Sequence, residues 1–317
     1  MFDMMKLVDF EHISRLGITP AECVSWADHI IRHKYECELP AKISIHLPDN
    51  VFVNTMPSYI PDENVYGVKV VNRYPHRVPS LESCIMLFDS VTGEELALMD
   101  GTWVTAMRTG AVAALAIRHL RKRNAKEYAF MGLGNTCRAT LLCMQAMEPE
   151  REIHVRLLAH KGQEADFIGR FKEYDNISFS VVNDTESLVR GAEVILSCIT
   201  AADGLIAPDS CYDEGVLVVP VHTRGFQNCD LFFDKVFADD TSHVRGFKYF
   251  DKFRSFDEFS NVLLGKNPGR ESDSERILSY NIGISLHDMY FASRIFGKIG
   301  NDVPEFTLTP DLPKFWV

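Results

Sequence analysis

Residues 126–140 read KEYAFMGLGNTCRAT, and this stretch decides the fold. Tyr128 to Met131 is a short apolar run of strand character. Gly132-Leu133-Gly134 is a glycine turn, and a helical pattern follows it through Leu141, Leu142 and Met144. Strand, glycine turn and helix in that order form the context a dinucleotide fingerprint requires. Gly132 permits a turn that a side chain would block, and Gly134 lets the backbone come close to a pyrophosphate. The N–H groups at the helix start, Asn135 and Thr136 first, then face the anion at the positive end of the helix dipole. Cys137 stands where the usual pattern has its third glycine and is small enough for a helix to pack on a strand. The alternative is an ordinary tight turn in an α/β sheet.

Outward from this turn, residues 127–240 alternate strand and helix signals. Strands are expected at 127–131, 153–159, 177–182, 193–199, 215–221 and 235–239. Amphipathic stretches such as 136–147 and 163–174 lie between them, and a short helix is expected from Thr185, read as its cap, to Arg190. Such alternation predicts a doubly wound parallel sheet of Rossmann type. Residues 1–100 read differently. Segments 41–46, 50–56, 65–72, 82–89 and 94–99 look like mostly antiparallel strands, separated by turn signals such as Pro61-Asp62-Glu63-Asn64 and Thr92-Gly93. Residues 102–120 form a long alanine-rich helix, and a further helix follows Asn281. The expected fold is therefore α/β: a Rossmann-type domain over 119–280, a strand-rich α+β domain over 1–118, and a C-terminal helix and tail over 281–317 that return to the latter.

Bulk properties narrow the function. The chain of 317 residues has 33 basic and 44 acidic side chains, a net charge of −11, which argues against nucleic-acid or anionic-membrane partners. The basic run Arg118 to Arg123 ends a helix, where cations complement the dipole. The 8 cysteines show no C-x-x-C spacing, which fits a reduced, cytoplasmic compartment. The 11 histidines lack ligand spacing, so no metal site is expected. The N-terminal segment lacks the apolar core of a signal peptide, and no uncharged stretch has the length of a membrane span.

Two polar residues look misplaced. Lys69 lies inside the apolar run Val65 to Val71, and strand alternation puts it on the face of Gly67 and Val71. Burial without a partner is costly and lowers a lysine's pKa towards catalytic use. An edge-strand lysine that discourages aggregation is the competing explanation. Arg108 sits near the start of the alanine-rich helix, where its charge opposes the dipole. Its forked guanidinium suits a carboxylate, either of a substrate or of a buried structural salt bridge.

With these residues in register, the chain resembles the ornithine cyclodeaminase/μ-crystallin family. The markers are Met56-Pro57, Gly67-Val68-Lys69 with Val71-Asn72, LFDSVTG at 87–93, Thr105-Ala106-Met107-Arg108-Thr109-Gly110-Ala111, Gly132-Leu133-Gly134, Thr200-Ala201-Ala202-Asp203 and Ile282-Gly283. The resemblance implies an NAD(P)-dependent oxidoreductase that moves a hydride between nicotinamide and the α-carbon of a small amino or imino acid. It also implies a homodimer formed through the substrate domain. It assigns Arg108 to the substrate carboxylate, Lys69 to the reacting carbon, and Lys42 to the place of a second carboxylate-binding arginine, without that residue's fork. Thr200 and Asn281 fall at cofactor-bordering positions, although Asn281 reads equally well as a helix N-cap.

Two departures from the family pattern shape the expectation. Cyclodeaminases carry a catalytic aspartate after the fifth strand, where this chain has Pro220-Val221-His222-Thr223-Arg224-Gly225-Phe226. His222 is then a candidate acid or base, or simply lines a turn, and a dehydrogenase or imine reductase is favoured over deaminating cyclisation of ornithine. Arg224 reads either as a surface loop residue or as a second anion contact. The second strand ends in Ala159-His160-Lys161-Gly162, with two cations and no acid, which favours NADP over NAD. A non-catalytic, μ-crystallin-like binding protein is the rival of another class.

Overall fold

The computed structural model describes residues 4–307. It divides into two compact units. The first comprises residues 4–18, Tyr35–Thr105 and residues 285–307; the second comprises Thr19–Lys34 and Ala106–Ile284. The helix Thr102–Leu120 carries the boundary between Thr105 and Ala106.

The first unit is built on strands β1 (Met5–Val8), β2 (Ile43–Leu47), β3 (Val51–Ile60), β4 (Val65–Arg73), β5 (Leu81–Asp89) and β6 (Glu95–Asp100). From β2 to β6 each strand pairs antiparallel with the next, and β1 adds parallel to β6. Strand β4 alternates buried and half-exposed positions along its whole length, with Val65, Gly67, Lys69, Val71 and Arg73 inward. The helix Ser285–Phe296 covers that inward face, packing on β3, β4, β5 and β6. A Cβ built on Gly67 would clash with the Met86 carbonyl oxygen on β5 and would lie 2.6 Å from the Met289 sulfur on this helix. The face turned away from this helix is apolar and open. Ile43, Ile45 and Leu47 on β2 are 64%, 54% and 43% exposed, and the same face continues through Thr55 opposite Ile43 to Val70, and through the register row Pro57, Val68, Met86 and Leu98.

The second unit holds eight parallel strands: β7 (Glu127–Met131), β8 (Ile153–Leu158), β9 (Ile177–Val182), β10 (Val194–Ser197), β11 (Leu217–Pro220), β12 (Lys235–Ala238), β13 (Phe256–Glu258) and β14 (Ile277–Tyr280). Their order is β13-β12-β14-β11-β10-β7-β8-β9. The central strands β10, β11 and β14 are buried at every position, which accounts for their unbroken apolar runs. The sheet reverses direction of travel at β7, and the glycine turn follows β7, the place where open α/β sheets bind ligands. Strand β14 inserts between β11 and β12, and no strand was expected there. The last strand, β15 (Glu305–Phe306), returns to pair with β1 in the first sheet.

Two local expectations need correction. The short helix is Thr185–Val189, and its cap is Asp184, whose carboxylate accepts from the Ser187 N–H. Asn281 caps nothing, because the last helix begins at Ser285.

Candidate active site

The glycine turn has two glycines with different duties. Gly132 has φ +76°, and a Cβ there would lie 2.5 Å from the Cys198 carbonyl carbon, so the end of β10 demands a bare backbone at that point. Gly134 is the N-cap of the helix Asn135–Met147 and brings no side chain to its first N–H groups. A Cβ built on Gly134 meets no atom within 4 Å. The space over the turn is therefore open to an anion, and a dinucleotide pyrophosphate fits it by charge and by shape. Asn135 is exposed and Thr136 half-buried at this helix start, while Cys137 is fully buried beneath it.

The other cofactor candidates lie on loops after neighbouring strands of the same sheet. His160 and Lys161 are exposed after β8, and Lys161 adopts φ +54°. The His160 N–H donates to the Glu164 carboxylate, which brings an acid to a turn the sequence reading treated as purely basic. Thr200 follows β10, and its carbonyl accepts from Arg224 Nη1 at 2.6 Å.

His222 follows β11. Its Nδ1 accepts from the Arg224 N–H at 3.1 Å, and Nε2 lies 2.7 Å from Ser197 Oγ. The accepting Nδ1 places the ring proton on Nε2, which donates to Ser197. Burial, and after it the Arg224 charge, push the imidazole down to about 4. His222 is thus a neutral hydrogen-bonding group near neutral pH, unlike the near-neutral titrating imidazole the sequence suggested.

Arg108 is 4% exposed in the helix Thr102–Leu120. The motif glycine two residues on, Gly110, lets that helix cross close over its neighbour: a Cβ there would meet the Ala139 carbonyl carbon at 2.6 Å. The guanidinium lies against Gly283, φ +92°, where a Cβ would come within 2.8 Å of Cζ. The Gly283 N–H donates to Asp239 Oδ2 at 2.6 Å, and Asn281 Nδ2 donates to Asp239 Oδ1 at 3.0 Å. Burial raises the Asp239 carboxyl, while these donors and the Arg108 charge oppose that rise. Asp239, absent from the sequence reading, therefore braces the Gly283 segment beside Arg108. Asn281 is buried and also faces Ser279 Oγ at 3.2 Å.

In the first unit, Lys69 is 1% exposed on β4, an interior strand flanked by β3 and β5, so the edge-strand explanation falls. Its Nζ lies 2.6 Å from Asp288 Oδ2, on a residue that is itself fully buried. Asp288 was also missed; an acid in the first turn of an amphipathic helix reads as a dipole partner. Lys42 is half-buried, one residue ahead of β2. Among the described residues, no group of three or more His, Cys, Asp or Glu is placed to hold a metal ion, and no helix is long and apolar enough to cross a membrane.

Known proteins are similar to this chain along most of its length. A nodulation efficiency protein, NfeD, from Rhizobium meliloti is 28% identical over 82% of this chain and 83% of its own length. A Δ1-pyrroline-2-carboxylate reductase from Bacillus cereus is 24% identical over 77% of this chain and 80% of its own. Two solved structures share the fold. The Thermococcus litoralis Δ1-pyrroline-2-carboxylate reductase in complex with NADH and L-proline superposes with TM-score 0.83 and 22% identity, covering 93% of this chain and 97% of that one. An archaeal alanine dehydrogenase dimer with bound NAD gives TM-score 0.83 and 19% identity over 97% and 100% of the two chains. The family model of the ornithine cyclodeaminase/mu-crystallin family matches residues 22–302, and the chain belongs to that family.

Proposed function

We propose that this protein is a nicotinamide-dependent oxidoreductase acting at the C–N bond of a small amino or imino acid, as an imine reductase or amino-acid dehydrogenase. The observation that carries this reading is Lys69, an ammonium buried on an interior strand of a chain whose curated relatives include pyrroline-2-carboxylate reductases. When bound, the nicotinamide supplies or accepts the hydride. The turn at Gly132 and Gly134, with the N–H groups of Asn135 and Thr136, holds the pyrophosphate. Thr200 and the segment anchored by Asn281 complete the cofactor contacts. Arg108 grips the substrate carboxylate through its fork, and Lys42 adds a second cation. Lys69 gives a proton to the nitrogen as the C–N double bond is reduced and is reprotonated from water; in oxidation it takes that proton back. His222 serves as a neutral hydrogen-bonding group. The missing aspartate at 220–226 disfavours deaminating cyclisation.

The test is direct. The protein is mixed with NADPH or NADH and with Δ1-pyrroline-2-carboxylate, Δ1-piperideine-2-carboxylate, or pyruvate plus ammonium, and nicotinamide absorbance should fall. Tight cofactor binding with no turnover on any of these would favour the non-catalytic binding role.

The cofactor preference we infer is for NADP, because His160 and Lys161 stand where a 2′-phosphate needs positive charge. NADPH should bind more tightly than NADH, and Lys161→Asp should reduce or reverse the difference in a fluorescence titration. A strong wild-type preference for NADH would contradict this, and Glu164 would then be the first residue to examine.

We also infer a homodimer joined through the open apolar face of the first sheet. A row of half-exposed Ile43, Ile45 and Leu47 is an edge that soluble monomers seldom leave uncovered. Light scattering at micromolar concentration should give twice the chain mass, and Ile45→Glu should give the monomer. A monomeric wild type would contradict the assignment. The eight cysteines, all free, fit a reducing compartment.

A further inference from the structure

We propose that Asp288 is the positioning residue for Lys69, fixing both where its ammonium points and the pH range over which it can donate. This rests on the reading of Lys69 as the proton donor. The geometry is built for it. The helix Ser285–Phe296 packs across β4 with the Met289 sulfur over Gly67, where an added Cβ would clash first with the Met86 carbonyl oxygen of β5 and then with that sulfur. Gly67 and Lys69 share the inward face, and the residue before Met289 is Asp288. The helix places the Asp288 carboxylate 2.6 Å from Nζ, with both side chains at most 1% exposed. Ser285 at the helix start donates to the Pro57 carbonyl at 2.6 Å, which pins the helix to β3 as well.

The residues opposite Lys69 on the flanking strands are Met56 and Ile85, and neither titrates. The helix offers Asp288 and the neighbouring buried His287. A lysine between two apolar cross-strand neighbours loses hydration, and a facing carboxylate keeps it protonated. An ammonium held by a carboxylate is also fixed in direction, whereas a free lysine stem samples many rotamers.

The experiment compares kcat against pH for wild type, Asp288→Asn and Lys69→Ala in the reductive direction. Without the carboxylate, the desolvated ammonium loses its proton earlier. We expect the alkaline limb of Asp288→Asn to move down by about one pH unit or more, with kcat at neutral pH lowered roughly tenfold. Cofactor affinity should stay close to wild type, while the melting temperature falls because the buried ammonium has lost its counter-ion. Loss of the alkaline limb in whatever activity Lys69→Ala retains would assign that limb to Lys69. A dead Lys69→Ala beside an Asp288→Asn with wild-type limb and kcat overturns the inference alone. A Lys69→Ala with wild-type activity overturns the donor reading and the inference with it. Should Asp288→Asn fail to fold, Asp288→Glu keeps the charge and shifts it by one methylene. We then expect an unmoved limb and about tenfold lower kcat; an unchanged kcat overturns the positioning role.

Discussion

Arg108→Ala should lower kcat/KM by roughly a hundredfold to several thousandfold, about 3–5 kcal/mol of transition-state binding. The size follows from two losses. A charge-assisted, forked pair to the substrate carboxylate disappears, and with it the orientation of the α-carbon towards the hydride. The surroundings support the arginine as a fixed tool rather than a mobile one. It lies against the Gly283 backbone, which Asp239 holds through the Gly283 N–H, and the helix that carries it is locked over its neighbour at Gly110. The same setting holds the rival explanation, a structural pair with Asp239, and the kinetics separate the two. A purely structural role predicts a fall in melting temperature with catalysis per folded molecule retained. The catalytic role predicts the reverse. Lys69→Ala, by contrast, should act mainly on kcat and leave cofactor affinity nearly intact, because the role proposed for it is proton transfer.

Gly134→Val should abolish dinucleotide binding without unfolding the protein. The open space above Gly134 means the new side chain meets no protein atom through its Cβ, and the backbone there, φ −82° and ψ −166°, suits any residue. On the proposed reading, the valine would occupy the place of the pyrophosphate. Gly132 offers the necessary contrast. Its φ of +76° and its contact with the Cys198 backbone predict that Gly132→Val destabilises the fold itself. Calorimetric titration of Gly134→Val with NADPH and NADH gives the outcome: no measurable heat supports the turn as cofactor site, and wild-type affinity removes it.

The parts of this molecule that local rules govern were legible in its sequence. The parallel sheet declared itself through short apolar runs alternating with helical stretches, and the helix Thr102–Leu120 matches the alanine-rich stretch residue for residue. Alternation alone put Lys69 on the inward face of its strand. Other signals were present and passed over. Thr19-Pro20-Ala21-Glu22 is a capping box with proline at the first helical position, and Cys23, Trp26, Ala27, Ile30 and Ile31 follow at helical spacing as the buried face of Pro20–Arg32. What sequence could not yield were pairings between distant segments. Asp288 differs from a surface acid only through Lys69, and Asp239 gains meaning only beneath Gly283. Strand β14 is four residues long, too short for periodicity to separate it from a loop. The surroundings of His222 were likewise invisible in the sequence: a half-buried ring between Ser197 Oγ and the Arg224 amide, whose lowered pKa no free-solution value conveys.

The central claim is that hydride passes between a nicotinamide and the α-carbon of an amino or imino acid on this protein. It is tested most directly by supplying cofactor deuterated at the transferring position, with a cyclic imino acid, and locating the label in the product by mass spectrometry and NMR. The account predicts one deuterium on the α-carbon of the resulting amino acid with wild-type protein, and label formed at least about a hundredfold more slowly with Arg108→Ala under the same conditions. Cofactor that remains fully deuterated beside unreacted substrate, across the whole panel of imino and keto acids, would contradict it.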